Sequence, residues 1–378
     1  MKLLNNEEKK VEYLELIYDL IFVYIIGHNN SLLHGIENGF FSFHAFLTYL
    51  TSSLAIIQIW NFSTFFTNMY GKNGVRDHIF IFINMYLLYY IGEGTRIHWE
   101  SFQNQYHIAW ALILINIGVQ YVIEWRNQKG DSTSLATIRG LMIAIFGEVA
   151  LILIAIPVFN RTGVQIAPVA ILYGVFATFI FADRTKSKQV DFMHLSERAM
   201  LYVVFTFGEM IIAIASYFEG GFSPNSIYFS LMCFLIVAGL FLCYEILYNS
   251  IVDREMQTSG MGYMMIHILL IFGLNNITTS LEFMHDTEVA LMPKTLFLIS
   301  SFLLLFMCMF LLLIYAKPQM KRCKKFLIPT VISSVLFAVM MVVLREKMYL
   351  NIALSVVYVY TTVIMLYRFS KQGNIINA

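Results

Sequence analysis

The residues best able to do chemistry in this sequence are carboxylates set inside apolar runs. Glu148 and Glu209 each follow a glycine and are flanked by aliphatic and aromatic side chains. A helix rises 1.5 Å per residue, which puts Glu209 roughly 18 Å beyond Glu197 on a continuous helix. That is near the middle of a hydrocarbon layer about 30 Å thick. A carboxylate at such depth is costly unless it is protonated, paired or hydrated, so both glutamates are candidates for a proton or cation relay. Asp19, Glu93 and His28 join them, each within or beside an apolar stretch. Glu15 and Asp19 stand four residues apart and share a helical face. Two like charges so placed repel, so either a cation or base sits between them or one carries a proton.

Glu197 and Arg198 are adjacent and project about 100° apart on a helix, so they cannot face each other well. Each needs a partner elsewhere: Arg198 with Asp19 or Glu15, and Glu197 with first-turn amides or a base. Glu15, Glu197 and Arg198 are therefore candidates for a structural ion pair or for a gate. Gln58, Trp60, Asn61, Thr64, Thr67 and Asn68 form a polar sequence within one apolar segment. Trp60, Asn61 and Asn68, with His267 and Asn275, could line a solute cavity; interhelical hydrogen bonding is the other use for such groups. No His-Glu-x-x-His or Gly-x-Ser-x-Gly pattern and no phosphate loop occurs, so no metal, cofactor or nucleophile site is expected. The four cysteines include no C-x-x-C pair.

These candidates need elements that hold them in an apolar medium, and the composition supplies them. Of the 378 residues, 58% are hydrophobic and 13% charged, against about 25% charged in soluble domains. The apolar runs are long enough for membrane-spanning helices. We read twelve spans, at roughly 13–35, 43–69, 77–97, 105–125, 139–158, 165–183, 197–218, 226–249, 261–284, 293–316, 326–345 and 348–370. The expected architecture is an all-α polytopic bundle forming one integral membrane domain over 1–378, with polar segments 1–12 and 371–378 at its ends. No cleaved signal peptide is expected, because residues 1–10 are polar and lack an apolar stretch before a cleavage site. No loop is long enough for a folded soluble domain, which excludes a nucleotide-hydrolysing engine within these loops.

With the N-terminus inside, 20 of the 25 Lys and Arg fall on the inner side, Arg198 included. Only Arg96, Arg161, Lys294, Arg345 and Lys347 remain outside. This asymmetry predicts both termini in the cytoplasm. The net charge of +1 gives no reason to expect nucleic acid; the expected partners are membrane lipids and an unknown small or amphipathic substrate, with homo-oligomerisation open. A Gly-polar step recurs at Gly27-His28, Gly92-Glu93, Gly147-Glu148 and Gly208-Glu209, and as Gly273-Leu274-Asn275. It suggests tandem two-helix repeats, although glycine is common enough in membrane helices for chance alignment.

Leu14-Glu15-Leu-Ile-Tyr-Asp19-Leu-Ile-Phe-Val23, with the Trp60 to Asn68 region, resembles the opening of the bacterial low temperature requirement protein A family. His194-Leu-Ser-Glu197-Arg198 followed by Phe207-Gly208-Glu209 is similar to its second signature, and Cys243-Tyr244 followed by His267 to a third. Met210 departs from the small polar residue expected after Gly208-Glu209. The resemblance implies a multi-pass protein of the bacterial plasma membrane with a role in growth in the cold. The residues themselves favour a gradient-driven transporter with the glutamates as relay. A membrane enzyme or flippase-like handler of lipid-linked intermediates is the alternative, and an accessory or assembly protein the third.

Overall fold

Helix follows almost everywhere the chain is apolar, because a backbone in hydrocarbon must satisfy its own N–H and C=O groups. The structure, a computed structural model, describes residues 10–96, 99–127, 132–182, 190–218, 221–320 and 324–375. The ends of the two expected polar tails (1–9 and 376–378) lie outside the described residues, as do Lys2, Lys9, Lys129, Arg184, Lys186, Lys188, Lys321 and Arg322 of the expected inner charge.

Among the described residues, twelve α-helices match the expected spans one for one. They are α1 (Tyr13–Asn29), α2 (Phe43–Tyr70), α3 (Val75–Arg96), α4 (Trp99–Asn127), α5 (Ser132–Thr162) and α6 (Ala167–Ala177), followed by α7 (Phe192–Ala213), α8 (Pro224–Ile246), α9 (Met261–His285), α10 (Leu291–Leu312), α11 (Lys324–Val343) and α12 (Met348–Ile375). Ten of these segments are long and apolar enough to cross a membrane. The α3 segment is long enough but not among the ten. The α6 segment is apolar but short, and continues as a π-helical turn over Thr178–Ala182.

Local chemistry marks several starts. Glu12 and Glu15 form a capping box at α1, the Glu12 N–H donating to Glu15 Oε2 at 3.1 Å. Ser223 caps α8 by accepting from the Ser226 N–H, with Pro224 in the first turn. Asp191 Oδ1 accepts the His194 N–H at the start of α7.

The chain divides into two units. The first holds α1, most of α2, α3 to α6, and the starts of α7 and α9 through Tyr202 and Ile268. Its α2 is buried all round from Ala55 to Asn68, the signature of a helix enclosed by others. The second unit holds residues 33–46, the rest of α7 and α9, and α8 and α10 to α12. Within it, Ile36–Glu37 and Phe40–Phe41 pair as a two-stranded antiparallel hairpin.

Candidate functional site

The capping box that starts α1 also aims Glu15 inward, and Asp19 follows one turn later. Both are buried, Asp19 completely. From α7, the fully buried Arg198 reaches both of them. Its Nη2 and Nε donate to the two oxygens of Asp19 at 2.5 and 3.3 Å, and Nη1 donates to Glu15 Oε1 at 3.2 Å. Nη1 also donates to Thr67 Oγ1 at 2.6 Å, and Trp60 Nε1 donates to Asp19 Oδ1 at 2.7 Å. The planar fork of arginine suits this two-oxygen grip, which lysine could not reproduce.

His194 lies one turn before Arg198, with Nε2 3.4 Å from Glu15 Oε2. Asn68 fixes its tautomer. The Asn68 Oδ1 accepts the Asp191 N–H at 3.1 Å, so its Nδ2 is the group that donates to His194 Nδ1 at 3.0 Å. Nδ1 is then an acceptor, and Nε2 carries the proton facing Glu15. Beside His194, the cluster holds two carboxylates and one guanidinium. A buried group of this kind stabilises little in total, yet removing one member leaves a charge stranded.

Glu148 occupies a different setting, at the centre of the apolar segment Ser134–Thr162. It is fully buried. Its Oε2 accepts from Gln58 Nε2 at 2.9 Å, while its Oε1 and Gln58 Oε1 have no hydrogen-bonding partner among the described residues. Gly174 of α6 makes the pair possible, since a Cβ there would overlap both Glu148 Oε2 and Gln58 Nε2.

In the second unit Glu209 is half-buried, with no hydrogen-bonded or ion-paired partner among the described residues, and Gly208 before it meets open space. A cavity of about 370 Å³ is lined by Ser216, Tyr217, Glu282, His285, Asp286 and Thr287. At Glu282, His34 Nε2 sits 3.2 Å from Oε2. This hydrogen bond raises the His34 pKa above its ordinary 6.5.

The other candidates are dispersed. Glu93 is partly exposed on α3, and His28 is half-buried with its ring tilted on Tyr24. Glu197 is half-buried and takes no part in the Arg198 cluster. His267 is fully buried, its Nδ1 at 2.9 Å from the Tyr263 carbonyl and its ring against Tyr263. Asn275 is buried on α9, and neither His267 nor Asn275 lines the cavity. Asn61 is fully buried on α2. The five Gly-polar steps thus meet unlike surroundings. No cluster of three or more His, Cys, Asp or Glu able to hold a metal occurs among the described residues. Sequence reading did not connect His194 with Glu15, Gln58 with Glu148, or His34 with Glu282. Each pair is separated by 90 or more residues, and no local periodicity reports such distances.

Fold and site together define a multi-pass α-helical membrane protein with carboxylates buried among its helices. The chain belongs to the bacterial low temperature requirement A protein (LtrA) family, whose profile matches residues 10–366 of 378. No curated protein and no solved structure matches it.

Proposed function

We propose that this protein is a secondary transporter, driven by a gradient of protons or another cation, that moves a small or amphipathic solute. The observation that carries this reading is Glu148, a fully buried acid at the centre of its helix with one oxygen held by Gln58 and the other unpartnered. Such a group is expensive to keep as a bare charge in hydrocarbon, and a site that binds and releases a cation uses that expense. The Lys and Arg asymmetry supports cytoplasmic termini, and with them the Arg198 cluster toward the inner face. There Arg198 acts as a staple between α1 and α7. Its engagement of both Glu15 and Asp19 counts against these acids serving as free acid–base groups for a lipid-linked substrate.

The test is proton flux in liposomes holding purified protein, across a set pH gradient with candidate solutes added. Solute-dependent flux should be lost in Glu148→Gln, which keeps the shape and the Gln58 hydrogen bond, and reduced in Glu209→Gln. Full flux in folded Glu148→Gln would sink the assignment. Absence of flux in the wild type under every condition would move the reading to lipid handling at the inner leaflet.

A further inference from the structure

One face of α2 joins the two buried sites of the first unit. Gln58, Asn61, Thr64 and Asn68 recur at three- and four-residue spacing along it. The ends of this stripe are occupied: Gln58 donates to Glu148 and Asn68 to His194. Beside it, Trp60 and Thr67 bind Asp19 and Arg198.

The middle is unsatisfied. Asn61 and Thr64 are completely buried. Neither Oδ1 nor Nδ2 of Asn61, nor Thr64 Oγ1, has a hydrogen-bonding partner among the described residues. Thr51 and Thr178 turn their hydroxyls back onto carbonyls of their own helices, but Thr64 does not. Buried polar groups in folded proteins almost always find a partner, and an amide with both ends bare is a rare exception. Water is the partner that fits, because it donates and accepts at once and is held where several polar groups converge. The unpartnered Oε1 atoms of Gln58 and Glu148 extend the same need to the Glu148 end.

We infer that a file of buried waters runs along this face of α2, from Glu148 to the Arg198 cluster, and carries protons between them. Gln58 to Thr67 spans about 14 Å of helix rise, or roughly five steps at about 2.8 Å each. Each water accepts one proton and passes on another, so the file is unchanged after a transfer. At the far end Gln58 occupies Oε2 of Glu148, so the arriving proton forms its O–H bond at Oε1 and leaves a neutral acid. At the cluster end the carboxylates of Glu15 and Asp19 outnumber the one guanidinium of Arg198, a field that draws a hydronium into the adjoining water. That hydronium gives up the proton and is left as water, while both carboxylates stay paired with Arg198. The proton-carrying role rests on Glu148 being the coupling acid; the hydration of the stripe does not.

Radiolytic hydroxyl-radical labelling of the full chain in lipid nanodiscs tests the hydration, because radicals born in bound water mark the side chains beside it. Trp60, fully buried, should be labelled, whereas Phe66, equally buried and packed on Tyr121, should stay unmarked after correction for intrinsic reactivity. Asn61→Leu should bring Trp60 down to the Phe66 level and reduce solute-dependent proton flux to that of empty vesicles. Thr64→Val should do the same if Asn61→Leu fails to fold. An unlabelled Trp60 in the wild type overturns the inference, whatever the flux. Labelled Trp60 with no wild-type flux leaves the water file standing and removes the transport reading. Flux with unlabelled Trp60 does the reverse.

Discussion

Gly147-Glu148 and Gly208-Glu209 are the same dipeptide inside the same kind of apolar helix, yet the structure treats them in opposite ways. Glu148 is sealed against Gln58 beneath Gly174, whereas Glu209 is half-buried beside a glycine that faces open space. Around them, the acids of the first unit are held by arginine, tryptophan and glutamine; in the second unit Glu282 meets a half-exposed histidine at the rim of a cavity. Burial decides how much a partner is worth. An ion pair in the interior is expensive to break, and one in contact with water is nearly free to break.

The largest expected effect is at Arg198. Arg198→Ala strands two buried carboxylates and should cost roughly 3–5 kcal/mol. It would be read as a collapse in monodisperse yield and in apparent Tm in detergent. Adding Asp19→Asn should recover part of the loss, and purely additive behaviour would argue against the pairing. Trp60→Phe removes the hydrogen bond to Asp19 and should cost about 1.5–3 kcal/mol, seen in the same melts.

The glycines sharpen the comparison directly. Gly174→Ala drives a methyl into Glu148 and Gln58, an overpacking cost of about 1–3 kcal/mol. Gly208→Ala meets nothing within 4 Å and should be neutral, or stabilising by up to about 1 kcal/mol through helix propensity. Equal Tm shifts for the two would erase the distinction between the sealed and the open glutamate.

The smallest effect is at His34. Its folded pKa is raised above 6.5 by Glu282, so the pair's contribution is fully present below 6.5 and fades as pH rises through the raised value. Wild type should therefore melt slightly above Glu282→Gln at mildly acidic pH and converge with it in alkaline buffer. A gap that widens with pH would contradict the pairing.

Much of the fold was legible because the forces behind it are local. Apolar length and backbone self-satisfaction set the twelve helices seen among the described residues, and their edges moved by up to seven residues, as at α5, expected from 139 but starting at Ser132. At α7 a cap accounts for the shift. That span was expected from 197 but starts at Phe192, because Asp191 supplies a cap that the apolar run does not advertise. The shared face of Glu15 and Asp19 was equally readable, since helical period needs only neighbouring residues. Whether Arg198 would meet one, the other or both was open, as was any role for Gln58 with Glu148. These depend on which helices pack together, and lipid is as apolar as a neighbouring helix, so the hydrophobic pattern says little about partner choice.

By itself, then, the sequence determined an all-α membrane protein with acids at costly depths, because composition and 3.6-residue periodicity act within one segment. Only the tertiary structure decided which acids are paired. It put Arg198 between Glu15 and Asp19 and Gly174 over Glu148, and it left Asn61 enclosed and Glu209 half-open. The reason is that pairing is a property of close approach between distant segments, and close approach is set by side-chain shape at the packed faces.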